Sequence, residues 1–197
     1  STTGDSVRSQ LLGSTRADYR FFSKTFGYFQ PNKKLKLYYK LIGRKVHTSK
    51  TCLVIFAEDV LTQRSVALKL MMNEDEWKRE GDLRKDQRGS KIDSAHIMAL
   101  LEEPIELDDG GLQYCVEDTR LHTEGVLRYL LVMPQADRDL SDLLSHDRVA
   151  GYNYAEVIVI LKQVTEHLHY LHSECHMIHG DIKSRNLVEL IRADGSS

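Results

Sequence analysis

His179-Gly180-Asp181-Ile182-Lys183-Ser184-Arg185-Asn186-Leu187 is the stretch on which the reading of this chain turns. It sets a carboxylate at 181, an ammonium at 183 and a carboxamide at 186, after a long helical stripe and before a β-branched run. Moving a phosphoryl group asks for those three functions: a carboxylate to orient the attacking hydroxyl, a cation near the moving group, and an oxygen ligand for Mg2+. A solvated surface loop would hold the same residue types, so the elements around it have to decide.

Working outward, the preceding helix is the best marked in the chain. Val157, Ile160, Leu161, Val164, Leu168 and Leu171 trace an apolar stripe at helical period over Tyr154–His172. Asn153 can cap it, with Glu156 placed as in a capping box. Beyond the loop, Val188–Ile191 reads as a strand, and Asp194-Gly195 as the turn of a hairpin that begins at Leu187. Further back, Val126–Met133 is strand-like and Pro134 stops it, while Asp108-Asp109-Gly110-Gly111 is a turn signal ahead of a strand at Leu112–Val116. Cys52–Ala57 and Ser65–Met71 suit neighbouring strands of a hairpin, joined through polar Glu58–Arg64. Asn73–Lys85 changes to helical character, with acidic residues at its start and Trp77, Glu80 and Leu83 three apart on one face. Gly81 weakens that helix by about 1 kcal/mol relative to Ala.

From about Leu41 to its end, the chain resembles the eukaryotic-type protein kinase family, whose catalytic loop has His-Arg-Asp followed by Lys and Asn at the offsets found here. The resemblance implies Asp181 as the hydroxyl-positioning base, Lys183 as the γ-phosphate contact and Asn186 as a Mg2+ ligand. Lys at position 183 is the Ser/Thr-kinase form. Val66-Ala67-Leu68-Lys69 resembles the strand whose Lys holds the α- and β-phosphates, and Glu80 is the helix acid that would fix its ammonium. By itself Lys69 would serve equally as an edge-strand Lys that discourages aggregation. Val46, Val54 and Ala67 are implied around the nucleotide. Tyr129–Leu140 resembles the strand-to-linker passage that binds adenine through its backbone, with Met133 as gatekeeper, Pro134 and Ala136 offering backbone groups, and Asp139 reaching the ribose hydroxyls.

Two departures stand out. Gly180 occupies the position of the family's Arg, which pairs with a phosphorylated activation loop, so its replacement implies switching that does not depend on such phosphorylation. Aligning on Val54 and Ala57 puts the three expected loop glycines at His47, Ser49 and Cys52. Side chains there should weaken or reshape the backbone's approach to phosphates, and Gly43 with Lys45 and Lys50 could form a longer substitute loop. The family's Asp-Phe-Gly metal carboxylate is expected roughly a dozen residues beyond Asn186. The chain ends first, so a fragment of a longer protein is expected, one that does not turn over ATP by itself.

Composition narrows the remaining classes. The chain has 197 residues, 41% of them hydrophobic, and a formal charge of -2 from 27 basic and 29 acidic side chains, which gives no electrostatic reason to expect nucleic acid or an anionic membrane as partner. Cys52, Cys115 and Cys175 are odd in number and widely spaced, unlike a disulfide framework or a zinc site, and a cytoplasmic or nuclear location is expected. The histidines at 146, 167, 169, 172 and 176 read as surface or packing residues rather than metal ligands. The expected fold is therefore α+β and two-lobed, protein-kinase-like, with an antiparallel N-lobe sheet carrying one helix and the beginning of a helical C-lobe. The divisions expected are an extension at 1–40 with an aromatic docking patch, an N-lobe at 41–135, and a hinge with partial C-lobe at 136–197. ATP and Mg2+ are the cofactors implied, and a protein substrate and ATP the partners. The alternatives are a pseudokinase scaffold and a small-molecule kinase of the aminoglycoside or choline phosphotransferase type. The latter shares His-Gly-Asp but usually carries His where Lys183 stands.

Overall fold

The computed structural model describes residues 28–42, 47–84, 92–118, 121–146 and 151–190. Its strands are β1 (Tyr28–Phe29), β2 (Tyr39–Leu41), β3 (His47–Thr48), β4 (Cys52–Asp59), β5 (Ser65–Met71), β6 (Ile105–Glu106), β7 (Leu112–Asp118), β8 (Leu121–Leu127), β9 (Tyr129–Pro134), β10 (Arg138–Asp139) and β11 (Val188–Glu189). Its helices are α1 (Glu74–Asp82), α2 (Leu140–His146) and α3 (Tyr154–Ser173). Two units divide the chain: one holds the residues up to Gly81 with Leu100–Pro134, the other Asp82–Ala99 with Gln135 onward.

The first unit is built on an antiparallel sheet ordered β1-β2-β4-β5-β9-β6, with β3 also paired to β4. Strand side chains alternate between faces. In β4 this sends Leu53, Ile55 and Ala57 into a core with Val66, Leu68 and Leu70 of β5 and Leu130 and Val132 of β9. Fully burying each large aliphatic side chain contributes about 1.5–3 kcal/mol, so the centre of the sheet is its most strongly held part. The sheet takes in β1, which precedes the boundary expected at residue 41, and β2, which crosses it; Phe29 and Tyr39 are both core residues. Residues 82–99, expected within the N-lobe, group with the second unit.

The strand expected at Val126–Met133 is two strands. β8 runs in a separate ribbon with β7, Arg128 interrupts it, and β9 then enters the main sheet beside β5. The turn before this ribbon needs its glycines: Gly110 and Gly111 have φ of +77° and +91°, and a Cβ on Gly111 would collide with the Leu127 carbonyl oxygen.

In the second unit, α3 follows the expected span, and Asn153 Oδ1 accepts the Glu156 N–H while Asn153 Nδ2 donates to the Glu156 carboxylate. Its stripe is partly altered: Val157, Ile160, Val164 and Leu168 are half-buried and Leu171 buried, but Leu161 lies exposed. Ile92 packs on Leu171 and Cys175. Nearby, His96 stacks on Tyr170 and its Nδ1 lies 2.9 Å from His167 Nδ1, a hydrogen bond that requires at least one neutral ring. Burial first, and then the neighbouring His96, push the His167 imidazole below its usual range.

Two predictions follow from these contacts. Gly111→Ala, which adds both a left-handed strain and a backbone collision, should destabilise the first unit by about 2–4 kcal/mol in denaturant titration. Because folding lowers the His167 pKa, the stability linked to it is complete above the ordinary imidazole value near 6.5 and is lost as pH falls through the folded value. The melting temperature should therefore drop between about pH 7 and pH 5, and His167→Gln should flatten that dependence.

Candidate functional site

Register decides which of the expected residues share a face of the sheet. Directly opposed residues on antiparallel strands point the same way; Val54 opposes Lys69, which opposes Leu131, and Ala67 opposes Met133. Val54, Ala67, Lys69 and Met133 therefore lie together on the face away from the Leu68 core. Phe56, opposite Ala67, and Leu131 join them. Neither was identified from sequence, although β4 alternation counted from Val54 would have found Phe56.

Helix α1 lies against this face. Its Asn73 Oδ1 accepts the Glu76 N–H, the cap that starts the helix. From there Trp77 reaches Tyr129, and Glu80 reaches Lys69 with Nζ to Oε1 at 2.5 Å. The side chains are 21% and 26% exposed, so the pair is sheltered enough to be more than a surface ion pair. Glu80, not Glu76, is thus the acid that meets Lys69. Leu83 lies past the end of the helix and is exposed, not on the packed face as expected.

The segment aligned with the glycine loop is a side-chain-bonded turn. Ser49 N–H donates to the Cys52 carbonyl, and Ser49 Oγ accepts from the N–H groups of Thr51 and Cys52. Ser49 Oγ also lies 3.1 Å from Cys52 Sγ. Val46, Gly43 and Lys45 lie outside the described residues.

At the end of β9, Pro134 opposes Val66. Ala136 is half-buried in chain outside any strand ladder. Asp139 sits in β10, and its Oδ1 accepts the Asp142 N–H at 2.8 Å, so one of the oxygens expected at the ribose is committed to starting α2.

The second unit assembles the loop at 179–187. The chain leaves α3 through His176, at φ +54°, with Met177 N–H bonded to the Leu171 carbonyl. The loop ends in β11, which pairs with β10 and is braced by Arg138 Nε to Glu189 at 2.6 Å. The strand expected at Val188–Ile191 is thus joined to a distant segment, and Asp194-Gly195 lies outside the described residues. Between these anchors Lys183 Nζ and Asn186 Nδ2 both donate to Asp181 Oδ2 at 2.8 Å, and Asn186 Nδ2 also donates to the Asp181 carbonyl at 2.8 Å. His179 Nδ1 accepts the Asp181 N–H. The hydrogen bonds from Lys183 and then Asn186 hold the exposed Asp181 carboxyl below the usual carboxylate range. Gly180 has φ +73°, a left-handed conformation in which a side chain is strained.

Asn186 commits its amide nitrogen to Asp181, which leaves Oδ1 as the hard oxygen suited to Mg2+. Among the described residues no three His, Cys, Asp or Glu side chains converge to hold a metal ion. A Mg2+ taking most of its oxygens from phosphates and water fits such a site.

No family model matches the chain. It is similar to a protein named serine/threonine-protein kinase SRPK from Physarum polycephalum, at 27% identity over 137 residues, covering 66% of this chain and 29% of that relative. The solved ROP18 kinase domain in complex with AMP-PNP and sucrose superposes with a TM-score of 0.55 at 20% identity, over 77% of this chain and 48% of that one. The chain thus spans less than a third of the curated relative and about half of the solved domain. The fold is protein-kinase-like: among the described residues, an α+β arrangement with an antiparallel sheet and one helix in the first unit and a partial helical second unit.

Removing the partners of Asp181 should raise its pKa. Lys183→Met should produce the larger rise and Asn186→Ala a smaller one, read by carboxyl 13C chemical shift against pH. The loop's linked stability is present above the ordinary carboxylate value and lost as pH falls below it, and the Lys183 variant should lose most of that dependence.

Proposed function

We propose that this chain carries the nucleotide lobe and catalytic loop of a protein kinase that transfers the γ-phosphoryl group of ATP to Ser or Thr hydroxyls of a protein substrate. The observation that carries the reading is the loop constellation: an exposed carboxylate at Asp181, kept ionised by the Lys183 ammonium and Asn186 amide. In this reading Asp181 orients the substrate hydroxyl and receives its proton as the oxygen attacks the γ-phosphorus and the bond to the ADP oxygen breaks. Lys183 contacts the γ-phosphoryl oxygens, where the three equatorial oxygens carry the developing charge. Lys69 holds the α- and β-phosphates, and Glu80 fixes its ammonium. Bound Mg2+ would neutralise the phosphates, and Asn186 Oδ1 is the described ligand suited to it. Val54, Ala67 and Met133 offer an apolar surface for adenine, and Pro134 and Ala136 are the residues whose backbone groups would bind it.

The Lys at position 183 and the name of the Physarum relative both favour Ser/Thr over Tyr. A cytosolic or nuclear location belongs to the same proposal. The bonded turn at Ser49–Cys52, in place of a flexible glycine loop, favours a second reading as a pseudokinase that binds nucleotide without turning it over.

Calorimetry with ATP, with and without Mg2+, and transfer from γ-labelled ATP to Ser, Thr and Tyr peptides separate these readings. The kinase reading expects Mg2+-dependent binding that weakens about tenfold or more in Lys69→Met. It also expects transfer that drops roughly 100-fold or more in Asp181→Asn while binding persists. Binding insensitive to Mg2+, with no label reaching any peptide from the protein that carries this sequence, would favour the pseudokinase. Absence of adenine nucleotide binding would reject both.

A further inference from the structure

The face that carries Lys69 continues beyond it into an aromatic contact that the chemistry of phosphate binding does not require. Met71 opposes Tyr129 one step along the register from Lys69 and Leu131. Tyr129 is buried, and its ring stacks on Trp77 at 4.8 Å with 29° between planes. Trp77 Nε1–H donates to the Leu130 carbonyl at 3.3 Å, and Tyr129 O–H donates to Glu74 Oε2 at 3.2 Å. Helix α1 is therefore attached to β9 through both ends of its first turn, Glu74 and Trp77. Trp77 and Glu80 lie three residues apart on one helical face. Once Trp77 is seated over Tyr129, Glu80 is carried to the neighbouring position over Lys69.

We propose that Trp77 and Tyr129 are positioning residues, a clamp that holds α1 against the sheet so that the Lys69–Glu80 pair forms without any event elsewhere in the protein. The consequence for phosphate binding rests on the role given to Lys69 above; the clamp itself does not. Breaking it frees Glu80 to swing with the helix and exposes the Lys69 amine, whereas breaking the ion pair leaves the clamp closed.

Trp77 is the only tryptophan, so its fluorescence reports on the clamp alone. Brief acylation with an amine-reactive ester, with the Lys69 peptide quantified by mass spectrometry, reports on the pair. In the full chain, Glu80→Gln sets the labelling of a broken pair and should leave Trp77 emission at its native wavelength. Trp77→Ala should raise Lys69 labelling several-fold, toward the Glu80→Gln value, and Trp77→Phe should restore most of the protection. Should Trp77→Ala fail to fold, the double variant Trp77→Phe/Tyr129→Phe keeps an aromatic ring at each position and removes both polar tethers. It should label about threefold faster than the native chain. The clamp is refuted if a folded Trp77→Ala chain, or that double variant, labels at the native rate. It is refuted equally if Glu80→Gln shifts Trp77 emission to the unfolded position, since the ion pair would then be holding the helix. A chain that follows the expected labelling pattern yet binds no adenine nucleotide keeps the clamp and loses the nucleotide reading.

Discussion

An ammonium on an inner strand must have a partner. Lys69 stands on β5, flanked by β4 and β9, and its side chain is only 21% exposed. Leaving such a charge unpaired would cost several kcal/mol, whereas a charge-assisted hydrogen bond contributes about 1.5–3 kcal/mol. Glu80 supplies that partner only if α1 crosses the sheet at the right height, and much of the first unit is arranged around this constraint. The Asn73 cap fixes where the helix begins, and Gly81 lets it run close to Pro104, whose Cγ would lie 3.2 Å from an added Cβ. The glycine that lowers helix propensity is thus the residue that permits this approach, so local preference is sacrificed to tertiary position.

What the sequence made legible follows from how local each signal is. The β4–β5 hairpin, the α3 span and the Asn153–Glu156 cap rest on patterns contained within one element, and the structure reproduces them. The loop residues Asp181, Lys183 and Asn186 were readable for the same reason: their meeting needs only one short turn between helix and strand. The pair Lys69–Glu80 was readable as a pairing of types, but several acids crowd the start of α1, and only the position of the helix on the sheet selects Glu80.

Less local features were not legible. β1 and β2 are short and flank a polar, Lys-rich stretch, so their membership of the sheet depends on pairing, β1 with β2 and β2 with β4. Arg128 carries no breaker signal; the chain divides there because β8 and β9 pair with different neighbours. Asp139, expected at the ribose hydroxyls, also stands one residue before a helix, and its second role as N-cap shows only in the bond from the Asp142 N–H to its Oδ1. The stack of Trp77 of α1 on Tyr129 of β9 joins residues far apart in sequence and leaves no periodic trace.

Gly180 has two readings, one from the resemblance to protein kinases and one from its own backbone. As the replacement for an Arg, it looks like the loss of a partner for a phosphorylated loop. In the structure it is first a backbone requirement: its φ of +73° would strain an Arg by about 1–2 kcal/mol. That conformation also turns the chain so that the Asp181 N–H meets His179 Nδ1 and the carboxylate meets Lys183 and Asn186. The loop is thus held in form by its own hydrogen bonds, just as α1 is held by aromatic and polar contacts within its own unit. The loop and the Lys69–Glu80 contact are thus each preorganised by bonds within their own unit.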